Sequence, residues 1–261
     1  MHNKIIDVLV TIVLIVLVLV TGGMSLYLRH SNDVGKKEYE QVRTKAVVVV
    51  SENVQKNTNH AGTKKDAKSY PELEIDFEAL KEENPDFRGW LYFPLLDISY
   101  PIVQSEDNNH YLHYSFSGEK TSAGCIFMDC GATSDWSDRN TFVFGHNMKD
   151  GSMFGSFDKL VKGEVNIKDD PYFYIYTEEG VRVYEIFSLY ETDSSSDRYM
   201  TFTSDAAYDE YTVWAKVYSI FESDCNLNRR EDLVSISTCY GAAGTKNRVL
   251  LHGALKEKAS Y

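Results

Sequence analysis

Leu233-Val234-Ser235-Ile236-Ser237-Thr238-Cys239 is a short run that turns from apolar to small polar residues and stops at a thiol. Side chains alternate along a strand, so Val234, Ile236 and Thr238 share one face, and Ser235, Ser237 and Cys239 share the other. The first face suits a core; the second reads as a polar surface with Cys239 at its end. Tyr240-Gly241-Ala242-Ala243-Gly244 then turns the chain, and Arg248 opens the next apolar run, Val249 to Ala254. Far upstream, Thr141-Phe142-Val143-Phe144-Gly145 ends in His146 and Asn147. A thiol, an imidazole and a guanidinium, each at a strand end, are the parts required for acyl transfer through a thioester.

Outward from these strands the pattern repeats. Gly89 to Phe93, Ile98 to Val103, Gly124 to Asp129, Phe173 to Tyr176 and Val181 to Tyr190 complete a set of eight short strands with Gly, Asn and Asp between them. Eighteen tyrosines and thirteen phenylalanines favour strands. The fold class is therefore mostly β, a barrel or sandwich. Pro101 suggests an edge strand or a bulge. A short helix is expected from Asp76, its cap, to Asn84, stopped by Pro85. A second helix is expected in the insertion between Tyr190 and Asp232, where Tyr208, Tyr211, Ala215 and Tyr218 fall on one face. It either walls the site or only packs on the barrel.

The N-terminus differs in kind. Val8 to Leu28 is 21 residues without a charge, and about 20 residues cross a bilayer. It reads as a single uncleaved membrane helix; a cleaved signal peptide is the competing reading, weakened by the length of Val8 to Val20. The organisation expected is an anchor over 1–30, a polar stalk over 31–70 that is partly helical near Lys36 to Lys45, and a catalytic domain over 71–261. The valines 47–50 pack on the domain or form a short strand. Net charge is −12, and residues 71–261 carry −16 of it against +4 in the first 70. So acidic a domain excludes nucleic acid as a partner and stays off anionic lipid.

Four cysteines occur, at 125, 130, 225 and 239, with no Cys-x-x-Cys spacing for zinc. Cys125 lies in an apolar run and reads as a buried thiol; a Cys125–Cys130 disulfide is left open. Of seven histidines, His2, His30 and His60 lie in the anchor and stalk, His110 and His113 flank Tyr111, and His252 lies within a strand. His146 alone follows an apolar strand and precedes a glycine-rich loop, where catalytic groups gather. Asp129, Asp135 and Asp138 are candidates to orient it.

These residues resemble the sortase family. The carriers are Asn140 to Asn147, the Ser237-Thr238-Cys239 end of the cysteine strand, and Arg248; the family's Thr-Leu-x-Thr-Cys reads here as Ser235-Ile236-Ser237-Thr238-Cys239. Asn84 to Leu91, Tyr100 to Gln104 with Asp107-Asn108, and the helix-bearing insertion look like class B. The resemblance covers about residues 72–256. It implies an eight-stranded sortase barrel and a cysteine transpeptidase on a Gram-positive-type envelope. It would be held in the cell membrane by one span, with the domain outside. Cys239 would attack a C-terminal sorting signal of secreted proteins. His146 would move the proton of the leaving and incoming amines, and Arg248 would stabilise the oxyanion. The acceptor would be an amine of a cell-wall precursor, lipid II or a peptidoglycan cross-bridge. No cofactor and no metal are implied. Ser237, Tyr211 and Asn108 are the expected substrate-binding residues.

Two other readings compete. A hydrolytic cysteine peptidase of papain-like logic places its cysteine on a helix upstream of the histidine, opposite to the order here. A non-catalytic surface adhesion module leaves the Cys239 face without a purpose.

Overall fold

The structure is a computed structural model that describes residues 2–49, 70–241 and 244–261. Its elements run α1 (His2–Ala46), β1 (Val47–Val49), β2 (Leu73–Ile75), α2 (Phe77–Glu83), β3 (Phe87–Phe93), β4 (Ile98–Val103), β5 (Ile126–Met128) and β6 (Asn140–Gly145). They continue with α3 (Phe157–Val161), β7 (Tyr172–Thr177), β8 (Gly180–Asp193), α4 (Asp205–Tyr218), β9 (Leu233–Cys239) and β10 (Asn247–Ala259). β3 to β10 form one closed barrel in the order β10-β8-β7-β3-β4-β5-β6-β9, which β9 and β10 close by pairing. Closure removes edge strands, so Pro101 needs another place: it faces Trp90 on β3, and the ladder to β5 begins only at Ile102.

Two pairings are parallel, β4 with β5 and β6 with β9. Parallel neighbours deliver their C-terminal ends to the same side of a sheet. The residues that follow β6 and those that end β9 therefore meet at one end of the barrel. β10 runs antiparallel to β9 and starts at that same end. The long crossover that a parallel β6–β9 pair requires holds both the 146–156 loop and the α4 insertion.

Inside the barrel, Trp90, Val143, Ile175, Ile186, Val234, Ile236 and Leu251 are buried together. A second apolar cluster lies between the barrel wall and α4: Phe142, Phe187, Tyr190, Phe202, Tyr208 and Tyr211. This cluster corrects the reading of the β9 face. Ser235 and Ser237 do not line an open surface but are 0% and 3% exposed beneath the insertion. Small hydroxyls stand there because a buried hydrogen-bond network needs them. Ser204 caps α4 by accepting from the Ala207 amide, and Tyr208, Tyr211 and Ala215 form its buried face as expected, while Tyr218 at the helix end is exposed and stacks on Trp214. Asp76 caps α2 through the Ala79 amide. β8 and β10 are longer than their apolar runs suggest, because charged side chains of β10 pair across the ladder, as Lys256 does with Glu185 at 3.1 Å.

α1 departs most from expectation. Helix does not end at the apolar span but continues through residue 46, and its last three turns dock on the barrel. The polar run hides a stripe of Gly35, Tyr39 and Val42 at helical spacing, all buried. The Tyr39 hydroxyl donates to the Gly124 carbonyl at 2.6 Å, and the Ser117 amide donates to Glu38 Oε1 at 2.8 Å. A Cβ at position 35 would stand 2.9 Å from Thr121 Oγ1, so glycine lets the helix approach. Val47 to Val49 form β1 and pair antiparallel with β2. Residues 50–69, the rest of the expected stalk, lie outside the described residues.

Deleting residues 1–30 is therefore expected to leave a folded domain. Deleting 1–46 removes the buried Tyr39 and Val42 with a buried hydrogen bond and should cost about 3–5 kcal/mol. Urea unfolding of the two truncated proteins checks this; equal midpoints would mean that the docked turns contribute nothing.

Candidate active site

Register places the three candidate groups in one row. On β6 and β9, Gly145 is the partner of Thr238, so the next residues outward are His146 and Cys239. On β9 and β10, Cys239 is the partner of Arg248. Neighbouring strands lie about 4.8 Å apart, and β6, β9 and β10 are consecutive in the barrel. Imidazole, thiol and guanidinium thus come from three adjacent strand ends, although 93 residues of chain separate the first two.

Backbone and side-chain bonds fix each of them. Thr238 Oγ1 donates to the Gly145 carbonyl at 2.8 Å, tying the β6 and β9 ends together. Gly145 admits no side chain, since a Cβ would lie 2.4 Å from Ile126 and 2.7 Å from the Phe154 ring. The Phe154 amide donates to the His146 carbonyl at 2.9 Å and folds the loop back over the strand end. Asn147 Nδ2 donates to the Cys239 carbonyl at 2.9 Å and to Asp158 Oδ1 at 2.7 Å, so α3 supports the cysteine through one amide. Nothing in the sequence distinguished that role for Asn147.

The His146 ring is oriented by the backbone. Its Nε2 lies 2.9 Å from the Leu112 carbonyl. A carbonyl only accepts, so Nε2 carries a proton, and Nδ1 is the nitrogen left to take and return one. The three carboxylates considered for this task stand elsewhere. Asp129 follows β5 and its amide donates to the Phe142 carbonyl, well back along β6 from His146, and Asp135 and Asp138 accept within their own loop from the Ser137 and Thr133 amides.

Arg248 Nη1 donates to the carbonyls of Thr245 and Asn247 at 3.0 and 2.9 Å. Both bonds use one nitrogen. Among the described residues no other acceptor is recorded for the guanidinium, which leaves the Nε–Nη2 edge to meet a substrate oxygen. Gly241 and Gly244 turn the connecting loop with φ of 86° and 79°, a region that favours glycine.

The expected substrate-binding residues are placed differently. Ser237 lies under Tyr199, whose hydroxyl is 2.8 Å from Ser237 Oγ and whose ring packs on Phe142 and Phe144. Tyr199, which sequence reasoning passed over, covers this face. Tyr211 is buried and spends its hydroxyl on the Arg198 carbonyl at 3.0 Å, so it shapes the insertion without being presented to a substrate. Asn108 bonds Asp129 and the Cys130 amide, at the end of the barrel away from His146.

The other thiols and histidines have structural explanations. Burial pushes Cys125 up to about 12 and Cys225 up to about 11, so both stay protonated and inert. All four cysteines are free. His252 is fully buried: Nδ1 lies 2.7 Å from Ser235 Oγ and Nε2 lies 3.0 Å from the Tyr190 hydroxyl. Ser235 gives its proton to Asn140 Oδ1, so His252 Nδ1 donates and Nε2 accepts, a neutral ring. Among the described residues no cluster of histidine, cysteine and carboxylate side chains is arranged to hold a metal ion.

Burial lowers His252 to about 3 from an ordinary value near 6.5. Because the folded value lies below the unfolded one, the unfolded chain binds the extra proton between these limits. Stability is then full above pH 6.5 and is lost as the pH falls toward 3. A midpoint in urea at pH 5 below that at pH 7, with the difference reduced in His252→Gln, is the expected result. Asn147→Ala should lower turnover about tenfold with little change in KM, since it loosens the thiol without touching substrate; peptide-cleavage kinetics with a melting curve test it.

The model of the sortase domain matches residues 91–256. Sortase B of Listeria monocytogenes is 34% identical over 191 residues, covering 72% of this chain and 76% of the relative. The crystal structure of sortase B from Bacillus anthracis in complex with AAEK1 superposes with a TM-score of 0.71 at 26% identity, covering 88% of this chain and all of that one. A Staphylococcus aureus sortase B–substrate complex superposes with a TM-score of 0.65 at 27% identity, covering 70% and 85%. On the match to the sortase domain and the likeness to sortase B proteins in sequence and fold, this chain belongs to the sortase family as a class B transpeptidase.

Proposed function

We propose that the enzyme cleaves a C-terminal sorting signal of secreted proteins at Cys239 and transfers the acyl fragment to an amine of the cell wall. The observation that carries this reading is the register row of His146, Cys239 and Arg248 across three adjacent strand ends.

The steps follow from that row. The Cys239 thiol gives its proton to His146 Nδ1, and the thiolate sulfur bonds the scissile carbonyl carbon. Negative charge gathers on the carbonyl oxygen, where the Arg248 guanidinium meets it. As the carbon–nitrogen bond breaks, the imidazolium returns its proton to the leaving amine, and a thioester remains. An incoming amine attacks the thioester carbon, His146 takes its proton, and the carbon–sulfur bond breaks to restore the thiolate. The Leu112 carbonyl does for the imidazole what a carboxylate does in other triads: it fixes the ring, and it adds no full negative charge.

α1 supports a membrane anchor. Leu9–Leu26 is an exposed apolar span with mean hydropathy 2.7, and helix runs on without a break to the docked turns. Ten residues separate Leu26 from Lys36 on that helix, about 15 Å at 1.5 Å per residue, so the site would stand close to the bilayer on its outer side. A hydrolytic peptidase is less favoured, because nothing in the row of strand ends resembles a helix-borne cysteine.

Chromatography of the full chain in detergent with sorting-signal peptides and triglycine tests the reading. It should yield a released C-terminal fragment and an acyl–triglycine product. Free acid alone, at every triglycine concentration, would make the enzyme a hydrolase.

A further inference from the structure

The Leu112 carbonyl orients the His146 ring, yet Leu112 belongs to no strand of the barrel. It ends one turn of 3₁₀ helix, His110–Leu112, in the connection between β4 and β5. Whatever holds that carbonyl holds the imidazole. One side of the turn is tied to the entry of β3: the Tyr111 hydroxyl donates to Asp86 Oδ2 at 2.8 Å and accepts from Asn84 Nδ2 at 3.0 Å. The other side rests on Gly124 and Cys125. The Cys125 amide donates to the Tyr111 carbonyl at 2.8 Å. Gly124 has a φ of 59°, and a Cβ there would lie 2.4 Å from the Tyr111 carbonyl oxygen and 3.1 Å from the Leu112 carbonyl carbon and oxygen. No side chain fits, so the two backbones touch directly.

α1 reaches this same backbone. The Tyr39 hydroxyl donates to the Gly124 carbonyl at 2.6 Å, Glu38 Oε1 accepts the Ser117 amide at 2.8 Å, and Gly35 lies against Thr121. These contacts of the docked turns all fall on residues 117–124. The Tyr39 ring also meets Tyr100 edge-on with centroids 5.4 Å apart, and the Tyr100 hydroxyl accepts the Met153 amide at 3.1 Å, in the loop that starts at His146. Two lines of contact toward His146 thus leave one buried side chain on α1.

We infer, taking His146 as the proton carrier proposed above, that Tyr39 is a positioning residue for it. The Tyr39 hydroxyl fixes Gly124, Gly124 fixes the Leu112 carbonyl, and that carbonyl keeps the imidazole proton on Nε2 and leaves Nδ1 to exchange protons with the thiol and the amines. The demand is strict because the ring gains and loses a proton in each half of the reaction. A carbonyl that drifts lets the neutral ring change tautomer, which turns a nitrogen that cannot accept toward the thiol. The helix that begins as the apolar span ends, in this account, as the brace of the catalytic base. A role in packing alone would cost stability on loss of the hydroxyl and leave the His146 tautomer untouched.

The test compares Tyr39→Phe, which removes the hydroxyl and keeps the ring against Tyr100, with Tyr176→Phe. The second variant also deletes a tyrosine hydroxyl bonded to a backbone carbonyl, that of Pro71 at 2.6 Å, but on β7, three strands from β9 in the barrel. Both are made in the full chain in detergent with isotope-labelled histidine, and the His146 ring nitrogens are assigned by their loss in His146→Gln. At a pH where the ring is neutral, the parent and Tyr176→Phe should show one tautomer, protonated on Nε2, and Tyr39→Phe a mixture of two. In Tyr39→Phe kcat for peptide cleavage should fall about fivefold or more with KM within about twofold, while Tyr176→Phe keeps the parent's kcat. Unchanged His146 resonances in Tyr39→Phe, or a kcat no lower than that of Tyr176→Phe, would overturn the assignment. The resonances are read without substrate, so they decide the coupling by themselves; a parent that cleaves no sorting-signal peptide counts against the transpeptidase reading instead.

Discussion

Cys239→Ala is expected to abolish both peptide cleavage and transfer, while Cys125→Ala and Cys225→Ala retain most activity. The contrast rests on position. Cys239 ends β9 half-buried, beside the residue that follows β6, whereas Cys125 and Cys225 are 1% and 2% exposed, with thiols held protonated by burial. Without the sulfur no thioester forms, and His146 and Arg248 have no acyl group to act on. The loss should approach the detection limit, a factor of about 10⁴ or more by analogy with removing a nucleophile that works as a unit with its base. Cys125→Ala does remove a buried group and should lower the melting temperature modestly, which separates a stability effect from a catalytic one. Full activity in Cys239→Ala would end the account.

Arg248→Ala should lower turnover by about 10² or more, the usual loss for one oxyanion donor, and Arg248→Lys by at least about tenfold. A lysine keeps the charge but not the planar fork. The geometry sharpens this expectation. Arg248 is braced through Nη1 by the Thr245 and Asn247 carbonyls, which aims the opposite edge of the guanidinium; an ammonium on a flexible stem cannot use the brace and still present two donors. Circular dichroism should show an unchanged fold, because the side chain sits at the start of β10 and is only half-buried. Near-normal turnover in Arg248→Ala would leave the oxyanion to another donor.

The strands were legible because their signals are local. Alternation along residues 233–239 and the Gly, Asn and Asp between the short apolar runs needed no knowledge of neighbours, and all eight strands lie where these signals put them. The row of candidate groups was legible for a related reason: each stands where a strand begins or ends. What escaped is non-local. The orienting partner of His146 is the Leu112 carbonyl, and a backbone atom leaves no mark in a sequence. Asn147 reaches Asp158 and Cys239 only after the loop folds back. Tyr211 has the spacing of an exposed or a buried face alike, and only the second apolar cluster decides for burial. The docked turns of α1 were hidden because three small contacts, Gly35, Tyr39 and Val42, sit in a stretch that is otherwise polar. Composition over a window averages such a stripe away.

The register also bears on rival readings. An adhesion barrel has no need for an imidazole, a thiol and a guanidinium on neighbouring strand ends, nor for an Asn147 clamp on the cysteine carbonyl. A neutral, fully bonded histidine such as His252 shows what a purely structural histidine looks like in this fold: buried, satisfied at both nitrogens and held far from charge. His146 is instead half-buried, bonded at one nitrogen and adjacent to a thiol-bearing strand end.

The central claim is that the acyl group passes through sulfur at residue 239, and intact-mass spectrometry tests it most directly. The full chain in detergent is mixed with a sorting-signal peptide, quenched in acid within the first turnovers and then digested. The account predicts an adduct equal in mass to the N-terminal peptide fragment less one water, located on Cys239, that disappears when triglycine is added before the quench. Turnover of the peptide without any adduct on Cys239, or with the adduct on another residue, would contradict it.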